Sequence, residues 1–260
     1  MEIIAKVSKG SKMDQIYLPK NRFGLNPGSY VLVKETIPRD EGRLIFHNVK
    51  KIEKIKIIII KELFNALNKY NFDNIIVTGS FLDNGFNFND IDIILIRDQN
   101  INISKIKDEL KEMGIESHLI LIDNQSLLKG ISTDPLFQTM LSNYISKKRF
   151  IYNIKPEIKY KLLDLHLLKS ELLVGNFDIL TENQKLDLLR NLVSIYLFIT
   201  EKQIVTKEEV CKKIRGMFDE DIFDKLKSNA LNKKEFIKRY KLIYGKTFKM
   251  ILRGIRNESK

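Results

Sequence analysis

The sequence is poor in the residues that staple or anchor a protein. It has one cysteine, Cys211, and three histidines in 260 residues. An internal disulfide is therefore excluded, and no Cys/His cluster offers a structural zinc site. No run approaches the roughly 18 apolar residues that a membrane span needs; the isoleucine run Ile57 to Ile60 is bracketed by lysines. The start, Met1 to Lys6, lacks the basic head and apolar middle of a secretory signal. There is no internal repeat and no low-complexity linker. A cytoplasmic protein with no membrane partner is the expectation.

What is present is apolar mass and positive charge. Hydrophobic residues make up 43% of the chain, with 15 Phe, enough for real cores in two or three small domains. Lys and Arg number 45 against 33 Asp and Glu, a net charge of +12. The excess is uneven. From Asn232 onward there are ten basic residues, opposed only by Glu235 and Glu258. Such a patch suits a phosphate backbone, although lysine-rich usage runs along the whole chain.

Three segments follow from the patterning. Residues 1–40 alternate in short strands, Ile3 to Val7, Gln15 to Leu18 and Ser29 to Val33, separated by Gly- and Pro-containing turns. Residues 45–130 read as an α/β unit. Ile52, Ile55, Ile59, Leu63 and Leu67 recur at helical spacing, and Asn74–Thr78, Ile91–Ile96 and Ser117–Ile122 read as strands. A helix is predicted from about Ser104, as N-cap, to Met113. Residues 134–260 read as helical, with Pro135 and Pro156 opening helices and Thr181 and Thr206 beginning capping boxes. The fold class is thus α+β multidomain: a small β-hairpin module, an α/β core with a short mixed sheet, and an all-α domain.

The chemistry concentrates between Thr78 and Asp92. Two carboxylates on one strand face, such as Asp90 and Asp92, stand about 6.6 Å apart along the strand. Hard oxygen ligands of this kind suit Mg²⁺. Gly79 and Ser80 directly follow a buried strand, where a backbone free of Cβ, a hydroxyl and the N–H groups of a starting helix suit phosphates. The nine residues Phe81 to Asn89 return the chain to the neighbouring strand.

Strand, Gly-Ser, then Asp-x-Asp entering an apolar strand resembles the DNA polymerase β-type nucleotidyltransferase superfamily over residues 48–125. The resemblance implies that Gly79 and Ser80 bind nucleotide phosphates and that Asp90 and Asp92 are catalytic ligands of Mg²⁺. Those members often carry Arg-Gly shortly after Gly-Ser; here Asp83-Asn84-Gly85 stands in that region. The family also implies a third carboxylate on the next strand as the base. Glu116 is the best candidate, and His118, on the same face, is an alternative.

The segment Lys6 to Val33, with Lys9-Gly10, Leu18-Pro19-Lys20, Gly24-Leu25 and Pro27-Gly28, resembles the AbrB-like swapped-hairpin domain. That resemblance implies a homodimer formed through the N-terminal module. It also implies DNA contact by Lys9, Lys12, Lys20 and Arg22, with simple dimerisation as the alternative. Ser11 to Gln15 adds residues between its first two strands. The helical half begins with Arg190-Asn191 what resembles an RNase motif of partner toxin domains. Ile195 and Tyr196 stand where histidine belongs, however, so RNase activity is not expected and a structural bundle is. The expected function is transfer of a nucleoside monophosphate from an NTP, ATP by default, to an acceptor hydroxyl, with Mg²⁺ and with DNA or RNA as partner. The alternative is an AbrB-like DNA-binding regulator or antitoxin whose nucleotidyltransferase domain only binds nucleotide.

Overall fold

Unbroken apolar runs set the centre of the sheet. In the computed structural model the described residues are 7–8, 15–16, 44–86, 88–98, 101–149, 154–228 and 230–258. They form a mixed α/β protein that divides into two units, Met1–Asn124 with Asn143–Ile151, and Gln125–Ser142 with Tyr152–Lys260. The expected contacts of Lys9, Lys12, Lys20 and Arg22 lie outside the described residues. Of the N-terminal segment, β1 (Val7–Ser8) pairs antiparallel with β2 (Gln15–Ile16).

The first unit is built on a five-stranded mixed sheet of order β3-β7-β4-β5-β6. Its strands are β3 (Ile45–His47), β4 (Asn74–Thr78), β5 (Ile91–Ile96), β6 (Ser117–Ile122) and β7 (Tyr144–Ser146). Only β5 and β6 are parallel; the other pairs are antiparallel. A parallel pair needs a crossover, supplied here by α2 (Ile103–Glu112). β4 is buried at every position and β5 at every position but Asp92, as central strands are. β7 enters from far along the chain. Asn74 fastens it by extending the ladder with its side chain, whose Nδ2 donates to the Lys148 carbonyl while its Oδ1 accepts from the Lys148 N–H, both at 2.9 Å.

Helix α1 (Lys54–Leu67) packs Ile60, Leu63, Phe64 and Leu67 into one core with Ile75, Val77, Ile93 and Leu95 of the sheet and Ile106 and Leu110 of α2. Of the predicted stripe, Leu63 and Leu67 are buried in this core and Ile52 and Ile59 pack against it, although Ile52 precedes the helix, and the stripe missed Lys56, which is fully buried. The N-cap of α2 is Asn102, accepting from the Lys105 N–H at 3.3 Å, rather than Ser104. Asn102 has the extended backbone a cap requires, whereas Ser104 is already inside the helix.

The second unit is helical: α3 (Asn124–Thr133), α4 (Pro135–Met140), α5 (Tyr160–Gly175), α6 (Glu182–Glu201), α7 (Lys207–Met217), α8 (Ile222–Lys227) and α9 (Lys233–Glu258). Capping boxes at Thr181/Gln184 and Thr206/Glu209 start α6 and α7 as read from the sequence. Pro135 occupies the first turn of α4, but α5 begins four residues after Pro156. Helices α5 and α9 run side by side. A Cβ on Gly254 of α9 would fall 2.3 Å from the Tyr160 ring, and the buried Tyr240 hydroxyl donates to the Ser170 carbonyl at 2.6 Å. Burial pushes the Tyr240 hydroxyl above the usual tyrosine range. Among the described residues no helix is long and apolar enough to cross a membrane.

Candidate functional site

Antiparallel pairing of β4 with β5 aligns Thr78 with Asp92. The residue after Thr78 is Gly79, at φ +81°, a conformation that L side chains rarely adopt. A Cβ built there would lie 2.0 Å from Asp92 Oδ2. Glycine is therefore required twice over, once by the backbone and once by the Asp92 carboxylate that fills the space. The two halves of the sequence motif, 13 residues apart, meet at this point.

Ser80 follows, exposed, and opens a single 3₁₀ turn, Ser80–Leu82, closed by hydrogen bonds from the Leu82 N–H to the Gly79 carbonyl and from the Asp83 N–H to the Ser80 carbonyl. The sequence suggested a helix here; one turn is too short to carry a helix dipole. A phosphate at this point would rest on the Ser80 hydroxyl and the open backbone at Gly79.

Asp92 lies in β5 and Asp90 in the bend just before it, exposed. Side chains alternate along a strand, so Asp92 shares the sheet face of Ile94 and Ile96. That face is opposite the one on which Ile93 and Leu95 meet α1 and α2. Parallel pairing of β5 with β6 sets Asp92 beside His118, and His118 Nδ1 is 3.1 Å from Asp92 Oδ1. His118 is well exposed, and Asp92 is about a quarter exposed, at 28% of its side chain. Glu116 stands just before β6, exposed, its carbonyl accepting from the Ile91 N–H at 3.0 Å. The neighbour of Asp92 on the next strand is thus a histidine. Among the described residues no group of three or more His, Cys, Asp or Glu is gathered for a metal ion. Asp90 and Asp92 nonetheless fit Mg²⁺ in donor type, since that ion is commonly held by one or two carboxylates with substrate phosphates and water completing the shell.

The loop between Ser80 and Asp90 is held from behind by a group that sequence reading passed over. Lys56 of α1 is fully buried, its Nζ 3.0 Å from Glu53 Oε2 and donating to the Asp83 carbonyl at 2.5 Å. The same ammonium lies 5.4–5.6 Å from the ring centroids of Phe81, Phe86 and Phe88, within cation–π range. Glu53 completes the clamp, its Oε1 accepting from the Gly85 N–H at 2.6 Å. That N–H first, and the Lys56 ammonium second, hold the Glu53 carboxyl down to about 2. Three phenylalanines crowded after Gly-Ser were the available signal, because so apolar a loop facing a lysine-rich helix invites one lysine inside.

In the helical unit, Asp134 is the N-cap of α4, accepting from the Leu136 and Phe137 N–H groups. Its Oδ2 also lies 3.0 Å from His166 Nε2. Burial alone would raise the Asp134 carboxyl; the His166 bond and the two backbone donors outweigh it and leave it below its usual value.

No protein-family model matches the sequence, and no curated protein matches it.

Proposed function

We propose that the chain is a Mg²⁺-dependent nucleotidyltransferase of the polymerase β type, transferring NMP from an NTP, ATP by default, to an acceptor hydroxyl. The observation that carries this reading is the packing of Gly79 against the Asp92 carboxylate, which joins the Gly-Ser and Asp-x-Asp halves in one place. The acceptor oxygen forms a bond to the α-phosphorus, the α–β phosphoanhydride bond breaks, and pyrophosphate leaves with the electron pair. Gly79 and Ser80 hold the phosphates, and Asp90 and Asp92 hold Mg²⁺. When bound, the metal neutralises charge on the phosphates and polarises them. Residues of the chain otherwise work by positioning: β5 fixes Asp92, and the Lys56 clamp fixes the loop that leads from Ser80 to Asp90. Glu116 is the candidate carboxylate for taking the acceptor's proton, and His118, at hydrogen-bond distance from Asp92, is the alternative.

The test is incubation of the protein with Mg²⁺ and ATP labelled at the α-phosphate, together with RNA and protein acceptors. Label should appear on an acceptor and vanish in Asp90→Asn and Asp92→Asn. Separate Glu116→Gln and His118→Gln variants assign the base by which one abolishes transfer.

A second reading has its own support. Asp92 is already engaged by His118, and the described residues gather no three-acid cluster. A unit that binds nucleotide without transferring it, joined to an AbrB-like DNA-binding homodimer module, accounts for both. Absence of transfer to every acceptor, with DNA retardation that survives Asp92→Asn, would establish it in place of the enzyme.

A further inference from the structure

The C-terminal run of basic residues forms part of a concave site. Helices α6, α7 and α9 of the helical unit enclose a groove of about 350 Å³. Tyr196 of α6, Met217 at the end of α7 and Leu242 of α9 give it apolar walls, and Lys238 and Lys246 stand on the α9 side. Its acid, Glu235, is bonded to Arg239, whose other contact is the Phe218 carbonyl. Lys238 and Lys246 are exposed and have no ion-pair partner among the described residues. A further ammonium, Lys213 of α7, lies over the Tyr196 ring with Nζ 5.8 Å from its centroid. Along α9, Lys249 and Arg253 follow Lys246 at i+3 and i+7, on the same side of the helix and exposed.

A row of unneutralised cations beside a pocket walled by an aromatic ring and a thioether is the combination that takes a polyanion carrying flat apolar groups. Phosphates take the cations, and an unstacked base takes the apolar wall. A duplex offers the phosphates but keeps its bases stacked inside. An anionic membrane offers charge but suits an apolar ridge, not a concavity.

We infer that this groove binds single-stranded nucleic acid, one base against Tyr196, Met217 and Leu242 and the backbone on Lys238, Lys246, Lys249 and Arg253. The site does not depend on nucleotide transfer: it serves an acceptor strand if the chain is an enzyme and a bound transcript if it is a regulator.

Fluorescence anisotropy of the full chain with labelled single-stranded RNA and DNA, a hairpin duplex and phosphatidylserine vesicles decides the matter. Single strands should bind, with the RNA and DNA arms showing whether the 2′-hydroxyl is read. Lys238→Glu with Lys246→Glu should weaken binding about tenfold or more and lower the log-log salt slope by about 1.4, two contacts at roughly 0.7 each. Tyr196→Leu should weaken it about fivefold or more while Tyr196→Phe leaves it in place. Lys234→Glu with Lys241→Glu, the same charge change on the other flank of α9, should keep most of the affinity, and circular dichroism checks that each variant is folded. Asp92→Asn should bind as the parent does, so loss of transfer and loss of this site read out separately. Equal loss from both lysine pairs, equal binding of duplex, or a preference for vesicles would overturn the groove as a single-strand site.

Discussion

The Asp92 carboxylate occupies the volume that a side chain on Gly79 would need, with Oδ2 2.0 Å from the place of a Cβ. Strand register brings them together, since Thr78 and Asp92 are partners in the β4–β5 ladder. Gly79→Ala must therefore move the carboxylate and also hold a left-handed backbone. We expect it to cost about 1–3 kcal/mol of stability. Nucleotide binding should be lost more completely than stability. Urea unfolding gives the first quantity and isothermal titration with ATP and Mg²⁺ the second; an alanine variant that binds like the parent would show that the Asp92 position is not critical.

Lys56→Met keeps the apolar stem and removes the ammonium from Glu53, the Asp83 carbonyl and three phenyl rings. Breaking a buried ion pair costs about 3–5 kcal/mol when both partners are enclosed. Glu53 is about 29% exposed, and water at that end relieves part of the loss, so about 2–3 kcal/mol is expected. Hydrogen exchange should show the amides of Asp83 and Gly85 losing protection before those of β4. Uniform loss across the unit would mean that Lys56 supports the core as a whole, not the loop.

Acid should act through Glu53. Its folded carboxyl is depressed to about 2 by the Gly85 N–H and then Lys56, from an ordinary value of 4.5. A depressed group stabilises fully above its unfolded value and progressively loses that stabilisation as pH falls toward its folded value. The advantage of the parent over Glu53→Gln should thus be constant above about pH 5 and shrink from about 4.5 down to about 2. Melting temperatures of both proteins across that range make the comparison, and a gap that widens on acidification would contradict the assignment.

Asp134→Ala removes the cap of α4 and the partner of His166. A lost N-cap costs about 0.5–2 kcal/mol, and the upper half of that range is expected because the side chain also holds His166. Asp134→Asn keeps an acceptor for the Leu136 and Phe137 N–H groups and should recover most of the loss. If asparagine were no better than alanine, the His166 pair would outweigh the cap.

Several elements could be read directly because their signals are local. β5 and β6 are read from the sequence with the bounds observed, since the four-residue apolar runs Ile93–Ile96 and Leu119–Ile122 mark them, and the boxes at Thr181 and Thr206 carry their whole geometry within four residues. β3 and β7 could not be read. Tyr144-Ile145-Ser146 is too short to show a period, and its partners in β4 lie about seventy residues away in sequence. The same distinction divides the site. Gly79, Ser80, Asp90 and Asp92 could be picked from spacing, but the adjacency of His118 and Asp92 depends on a strand register that no local pattern specifies. Lys56 was hidden because a lysine among isoleucines reads as solvent-facing until the aromatic groups around it are brought together by folding.

The clamp by which Asn74 grips Lys148 has a consequence for handling the protein. β4 is flanked by β5 on one side and β7 on the other. A fragment ended at Asn124 would retain the Gly-Ser and Asp-x-Asp segments yet leave Asn74-Ile75-Ile76-Val77-Thr78 as a bare sheet margin. Unpaired apolar margins of that kind recruit other chains. The smallest piece that can be expressed without clumping must carry residues 143–151 back to β4, by a linker or by circular permutation, since chain order and spatial order part company there.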